Sequence, residues 1–323
     1  MIYFGKTRIN LFSYDASAKP RLDTEEILKG MGFTPLIVSA FEEVKDVKLR
    51  VEQELTNIKE NDIIIVQYPS FSWREYEIAF NEQAHKQGAK VFAIVHDLET
   101  LRWPGDTSDF EVLNTFDTIS LPSYKAASFL MKKGLKTPFY FQFFWDYLCE
   151  NNGQMLDLNA DIVYAGNIIE RKTEFLNDVK FPMRLYGDNI ENRTFRKNIT
   201  YEGRRTNEEL VLEIGGNIGL SWDSNNYLEY AKYNLSYKPA MYLAANCPII
   251  VHNKTNIARI VEAYNLGKVI GDLKYDTVLK AVVDIKKERE RYAEATLMFG
   301  QNLRDGRCLK NLIERMLTSQ DAY

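Results

Sequence analysis

Three cysteines, three histidines and no long apolar run in 323 residues remove several classes of protein at once. Cys149, Cys247 and Cys308 stand far apart, with no CxxC pair and no Cys/His cluster. Neither a disulfide frame nor a structural zinc site is expected, and reduced thiols fit a cytoplasmic protein. No stretch approaches the roughly 20 consecutive apolar residues of a membrane span, and the first ten residues lack the charged-then-apolar order of a signal peptide. A net charge of −4 gives no reason to expect nucleic acid. There is no DxD triplet and no His/Cys/Asp group at metal-ligand spacing, so no metal is expected. A GxxxxGK[ST] loop and a GxSxG elbow are also missing, and GGNIG at 215–219 leads into a strand instead of following one, which reads as a turn.

What the chain does contain is alternation. Short β-rich apolar runs at 2–4, 35–38, 62–67, 90–95, 116–121 and 139–143 are separated by helical patterns at 24–31, 44–58, 73–86 and 124–133. The second half repeats this with strands at 161–164, 183–186, 199–201, 218–222, 248–251 and 268–270. Its helices are predicted at 171–179, 206–213, 255–264, 275–298 and 307–317, and a shorter one opens at Pro239 and stops at Asn246 and Pro248. Strand–helix alternation of this kind builds parallel sheets covered on both faces. The fold class is therefore α/β, with two Rossmann-like, doubly wound parallel-sheet domains. The polar, Gly-containing stretch at 150–159 marks the break, giving domains 1–153 and 154–305.

Ligands of open parallel sheets bind at the carboxyl ends of strands, so the polar residues there carry the functional reading. Lys238 precedes a helix N-terminus, where the dipole and free N–H groups favour an anion. A phosphate suits that lysine; a solvated lysine in front of a core helix suits it as well. Gly166 and Asn167 follow a strand and lead into a helix with Arg171 and Lys172 in its first turn. Two cations there oppose the helix dipole unless an anion lies nearby. Tyr201 ends a strand and can stack on a base or sit in the core. Asp223 ends another and can bind hydroxyls or cap a turn. In the first half His96-Asp97, with Arg102 beyond, can transfer protons or order the loop at 98–109. His85 and His252 have no evident partner in sequence.

Several separated blocks together resemble one family. They are ASAK (16–19), EEILKGMGF (25–33), NDIIIVQYP (61–69), VHDLETLR (95–102), YAGNIIERKTEF (164–175), LYGD (185–188), YEGRRTNEEL (201–210), GLSWD (219–223) and YNLSYKPAMYLAANCPIIV (233–251). In order and spacing they resemble the bacterial glucosyltransferase-3-like family, with its β-1,6-galactofuranosyltransferase relatives, across nearly the whole chain. The resemblance implies a GT-B enzyme whose two domains face a central cleft, with the helix at 306–323 returning to the first domain. It implies that Lys238 and Arg171 hold the diphosphate of a UDP-sugar, with Gly166, Asn167 and Asp223 also at the donor. Tyr201 would lie near the nucleoside, and Ser17 would approach the phosphates. His96 and Asp97 fall on the family's IHDxxxxR block and are the candidates for proton transfer.

The expected function is transfer of a hexosyl group, glucosyl or galactofuranosyl, from a UDP-sugar to a hydroxyl of a glycan or glycosylated protein. No metal or separate cofactor is expected, and a homodimer or homotetramer is. The alternatives are a UDP-sugar 2-epimerase and a non-catalytic GT-B-like partner subunit. Two departures stand out. The family's Asn-Asn-Pro-His-Lys is Asn234-Leu235-Ser236-Tyr237-Lys238 here, and its Trp-Asp-Gly is Trp222-Asp223-Ser224, so sugar or acceptor contacts can differ.

Overall fold

Two all-parallel six-stranded sheets carry the chain in the computed structural model, which describes residues 1–7, 18–40, 43–103, 105–151, 153–190 and 193–318. The first unit opens with β1 (Ile2–Thr7), α1 (Ala18–Gly30), β2 (Thr34–Val38), α2 (Val47–Glu54), β3 (Ile63–Tyr68) and α3 (Arg74–Lys86). It continues through β4 (Lys90–Val95), α4 (Glu99–Arg102), α5 (Ser108–Leu113), β5 (Thr118–Leu121), α6 (Tyr124–Lys132) and β6 (Phe139–Phe141). Its strand order is β2-β1-β3-β4-β5-β6. The central strands are apolar on both faces: Ile64 and Ile65 of β3 and Val91, Ala93 and Ile94 of β4 are fully buried. Helices on both sides require that pattern.

The second unit contains β7 (Ile162–Ala165), α7 (Glu170–Thr173), β8 (Met183–Tyr186), β9 (Ile199–Gly203), α8 (Asn207–Ile214), β10 (Ile218–Ser221), α9 (Asn225–Tyr230) and α10 (Lys238–Ala244). It closes with β11 (Ile249–His252), α11 (Ala258–Ala263), β12 (Gly267–Ile270), α12 (Tyr275–Lys287) and α13 (Arg289–Arg304), before α14 (Arg307–Thr318). The strand order β12-β11-β10-β7-β8-β9 reverses direction between β7 and β10. That reversal is the topological switch point of a doubly wound parallel sheet, and the crevice outside its carboxyl ends is where such sheets bind ligands.

Apart from Ala18–Pro20 at the start of α1, which group with the second unit, the two compact units divide at Phe143 and Phe144, and residues 309–318 belong to the first. There α14 buries Leu309, Leu312, Ile313 and Met316 on one face, the spacing of an amphipathic helix. Its Arg315 donates to the Phe141 carbonyl at 2.7 Å.

Some elements differ from the periodicity reading. Helix α1 starts at Ala18, six residues before the predicted start, because Pro20 lies in the first turn, where its missing N–H costs nothing. The helix expected over 275–298 breaks at Glu288. The charged run KKERER there offers no apolar contact to hold one axis. The predicted helix at 171–179 is one α-turn followed by a 3-10 turn at Glu174–Asn177. The short helices α4, α5 and α9 have too few residues to show a period.

Glycines fix the spacing at the ends of the second sheet. Gly187, just after β8, has φ +147°, and a Cβ there would stand 1.9 Å from the Gly166 carbonyl oxygen. Gly187→Ala should therefore destabilise the protein by about 2–4 kcal/mol in urea unfolding. Gly30→Ala, at an open position of helical conformation, should be neutral or slightly stabilising. Equal effects of the two would show that the close approach is not a constraint.

Candidate functional site

Helix α10 is fixed by one tyrosine at the switch point. The buried Tyr242 hydroxyl accepts the Ala165 N–H at 2.8 Å and donates to the Leu220 carbonyl at 3.3 Å. It thus ties α10 to the ends of both β7 and β10. Its ring fits because position 219 is glycine; a Cβ there would lie 2.4 Å from the ring. At the far end of the helix, Arg304 of α13 donates to the Ala244 carbonyl and to Asn246 Oδ1. This cation at a helix C-terminus is favourable for the dipole. Asn246 takes the left-handed conformation (φ +60°) that ends the helix. Ahead of it, Trp145 Nε1 donates to the Leu235 carbonyl at 2.7 Å, holding the approach to the helix.

This scaffold places Lys238 at the start of α10, with its side chain 10% exposed. The ammonium donates to the Tyr164 hydroxyl at 2.8 Å and lies 3.8 Å from Asp223 Oδ1. Burial lowers the Lys238 pKa, and Asp223 offsets only part of that. Burial likewise raises the Tyr164 phenol, which stays protonated. Gly166 leaves the lysine its path: a Cβ there would stand 3.4 Å from Lys238 Cε. The opening turn of α10 itself offers few donors. Pro239 has no N–H, and the Ala240 N–H already bonds the Tyr237 carbonyl at 3.1 Å. The positive character of this corner therefore comes mainly from side chains.

Two more cations stand on α7. Lys172 Nζ is 3.9 Å from Asp223 Oδ1 and 5.5 Å from the Tyr227 ring centroid. Arg171 is exposed, its guanidinium 5.8 Å from the same ring, and it has no carboxylate ion pair among the described residues. Asn167 Oδ1 accepts from the Ile169 N–H and from Asn189, so it shapes the loop after β7. Tyr201, 37% exposed on edge strand β9, donates its hydroxyl to the Gly187 carbonyl at 2.8 Å. Gly166, Asn167, Arg171, Asp223 and Lys238 all occupy the carboxyl edge of one sheet around its switch point, with Tyr201 toward the outer strand. Lys238 and Lys172 both face Asp223, and with Arg171 nearby the corner gathers cations suited to a polyanion.

His96 and Asp97 belong to the first unit, at the end of β4. The His96 ring bonds Gln67 Oε1 at 2.7 Å. Burial and the nearby Arg21 guanidinium depress its pKa well below 6.5. Asp97 forms a 2.9 Å ion pair with Arg102, which also meets Glu99 at 2.9 Å. A cavity of about 40 Å³ lies in the same unit, lined by Arg21, Gln67, Tyr68, Tyr76, Glu77 and Phe116 among others. It holds one guanidinium and no group of cations, so the switch point of the second sheet is the better anion site. Ser17 lies outside the described residues. Among the described residues no group of three or more His, Cys, Asp or Glu could hold a metal ion. No helix among them is long and apolar enough to cross a membrane.

The sequence gives no signal for Tyr164 or Tyr242, since both read as core residues of apolar segments. Their hydroxyls matter only once β7 and α10 are packed together. His252 stands against Trp222, ring centroids 4.6 Å apart, at the end of β11. Its Nδ1 accepts the Lys254 N–H at 3.0 Å, a partner two residues away in sequence.

Comparison with known proteins bears on this geometry. The profile described as "Glucosyltransferase 3-like, N-terminal domain" matches residues 6–144, and "Glucosyltransferase 3-like, C-terminal domain" matches 162–316. The chain is similar to "Glucosyltransferase 3" of Streptococcus gordonii, 26% identical over 78% of this chain and 79% of that one. It is also similar to "Beta-1,6-galactofuranosyltransferase WbbI" of Escherichia coli K12, 22% identical over 81% of each. In fold it resembles sucrose-phosphate synthase from Thermosynechococcus elongatus, with TM-score 0.65 and 9% identity over 99% of both chains. Anabaena Alr3699/HepE in complex with UDP has TM-score 0.62 and 9% identity over 98% of this chain and 99% of that one. These likenesses make the fold GT-B.

The neutral His96 has a consequence for stability. A histidine whose native pKa is depressed leaves the unfolded chain binding the extra proton, so stability falls as pH drops below 6.5 toward the native value. His96→Gln should flatten that fall between pH 6.5 and 5, where one such group gives a slope of up to ~1.4 kcal/mol per pH unit. Urea unfolding at the two pH values checks this; parallel losses in variant and wild type would contradict it.

Proposed function

The chain belongs to the glucosyltransferase 3-like family, and we propose that it moves a hexosyl group from a UDP-sugar to a hydroxyl of a glycan or glycosylated protein. The observation that carries this reading is Lys238. A buried ammonium at a switch point, with Arg171 and Lys172 beside it, is the arrangement a leaving diphosphate needs. The activities named for the relatives, a glucosyltransferase and a galactofuranosyltransferase, fit the same donor chemistry.

In the reaction the bond from the anomeric carbon to the diphosphate oxygen breaks, and its electron pair stays on UDP. The acceptor oxygen bonds the anomeric carbon, and the acceptor proton departs to a base. Charge accumulates on the β-phosphate as the bond opens, and a positive group already in place lowers the barrier by meeting it. Lys238 is that group, held by Tyr164 so that no reorganisation is needed during the step. Arg171, exposed and without a carboxylate partner among the described residues, takes the outer phosphate oxygens. Gly166 and Asn167 form the close backbone approach, and Tyr201 offers its ring to the uracil. His96, whose ring is kept neutral, and Asp97, paired with Arg102, are the candidates for that base. The homodimer or homotetramer implied by the resemblance belongs to this proposal and is read from molar mass by light scattering.

UDP binding by calorimetry and UDP release with a panel of UDP-sugars test the reading. Measurable heat with UDP is expected, and a non-catalytic partner subunit would give none. Conversion of UDP-GlcNAc to a new nucleotide sugar without acceptor would indicate an epimerase. Lys238→Ala should lower turnover by about 100-fold or more. The fold should persist, because Lys172 still faces Asp223 in the variant. Near-wild-type transfer by Lys238→Ala would overturn the assignment.

A further inference from the structure

We propose that the outer face of α6 is a docking surface for an anionic lipid membrane, on which the chain settles without sending a segment across it. The proposal stands apart from the donor reading: it concerns the first unit and needs no bound nucleotide.

The face is built from two short rows. Helix α6 turns Ala126, Ala127 and Leu130 into the core. On its outer side Tyr124 and Met131 are 76% and 57% exposed, and Lys125 and Lys132 are exposed beside them. The members of each pair are seven positions apart, so each pair forms a row along the axis about 10 Å long. Lys133 and Lys136, also exposed, carry the lysine row past the end of the helix. Residues 118–143 contain these four lysines and no Asp, Glu or Arg, in a chain whose net charge is −4. None of the four has a carboxylate ion pair among the described residues. The neighbouring loop meets this end of α6 through a neutral side chain. Asn114 Oδ1 accepts the Lys136 N–H at 2.8 Å, and its Nδ2 donates to the Gly134 carbonyl at 3.1 Å.

Helix stabilisation does not account for the lysines. Lys132 and Lys133 suit the negative end of the helix dipole, but Lys125 stands in the first turn, at the positive end, and Lys136 lies outside the helix. Nor does the core account for Tyr124 and Met131, which are turned away from it. An apolar row flanked by lysines on one helix face matches the headgroup boundary of an anionic bilayer. The apolar side chains enter that boundary and each ammonium meets phosphate. Tyrosine suits it, with the ring in the apolar layer and the hydroxyl in water. The lysine stems let the charges stay among the headgroups while the apolar row sinks below them. A second copy is a poorer occupant, since two such faces laid together set lysine against lysine. A nucleic acid is poorer too: the face has no arginine fork, and Met131 gains nothing from a phosphate backbone.

Co-sedimentation of the full chain with vesicles tests the assignment, using phosphatidylcholine alone and phosphatidylcholine mixed with phosphatidylglycerol. The wild type should partition onto the mixed vesicles and not onto phosphatidylcholine alone, and added salt should weaken that partitioning. Lys132→Gln with Lys133→Gln should lower it about tenfold or more. Tyr124→Ser with Met131→Ser should lower it several-fold at unchanged charge. Lys280→Gln with Lys287→Gln, at exposed positions of α12 in the second unit, should leave it unchanged. Thermal unfolding of each variant separates loss of the face from loss of the fold; if the first lysine pair unfolds the chain, Lys125→Gln with Lys136→Gln replaces it. Equal partitioning onto both vesicles, none onto either, or an equal loss in the α12 pair would overturn the proposal. Binding to transfer RNA without binding to the mixed vesicles would assign the face to a soluble polyanion and overturn it as well. So would a self-association that Tyr124→Ser with Met131→Ser abolishes while vesicle binding is absent, which would assign the face to a second copy.

Discussion

An ammonium group taken out of water has to be compensated, and around Lys238 the compensation is partial. One phenol accepts a hydrogen bond, one carboxylate stands at 3.8 Å without making one, and burial still lowers the lysine's pKa. A well-satisfied structural ion pair would close that gap to hydrogen-bond distance. Keeping the cation underpaired leaves electrostatic attraction for an incoming anion, and the low dielectric of the site strengthens it. The contacts that fix helix α10 hold this group in position.

The holding is done by backbone and ring contacts, which explains its rigidity. Tyr242 spans the gap between β7 and β10 at the point where strand order reverses, and Gly219 gives its ring the space. On the other side of α10, Gly300 lets α13 meet the Leu243 carbonyl; a Cβ there would stand 2.3 Å away. Arg304 then caps the end of the helix. A helix fixed at both ends delivers its first side chain to one place, and that side chain is Lys238. Around it, the positive-φ glycines at 166 and 187 let two strand ends approach each other closely.

Much of this was legible in the sequence because parallel sheets write themselves as apolar runs. Segments such as Ile63–Tyr68 and Ile249–His252 are hydrophobic on both faces, so the strands among the described residues could largely be located from residue type. Lys238 was legible too, since Pro239 after it and Asn246 with Pro248 beyond define a helix. The rest depended on contacts between distant residues. Tyr164 and Lys238 are 74 positions apart, and nothing local marks that tyrosine as a ligand of the lysine. The free N–H groups expected at the start of α10 are largely accounted for by Pro239 and the tight turn onto Tyr237. His96 looked suited to proton transfer from its neighbour Asp97, yet each has another partner, Gln67 and Arg102 respectively. Arg102 lies close by in sequence, but a dipeptide cannot reveal Gln67, 29 residues upstream.

The functional reading reduces to where a diphosphate settles. A crystal structure of the protein soaked with UDP addresses that directly. The account predicts a phosphate oxygen within hydrogen-bond distance of Lys238 Nζ, outside the carboxyl ends of β7 and β10. UDP bound elsewhere, with the lysine still donating only to Tyr164, would contradict it.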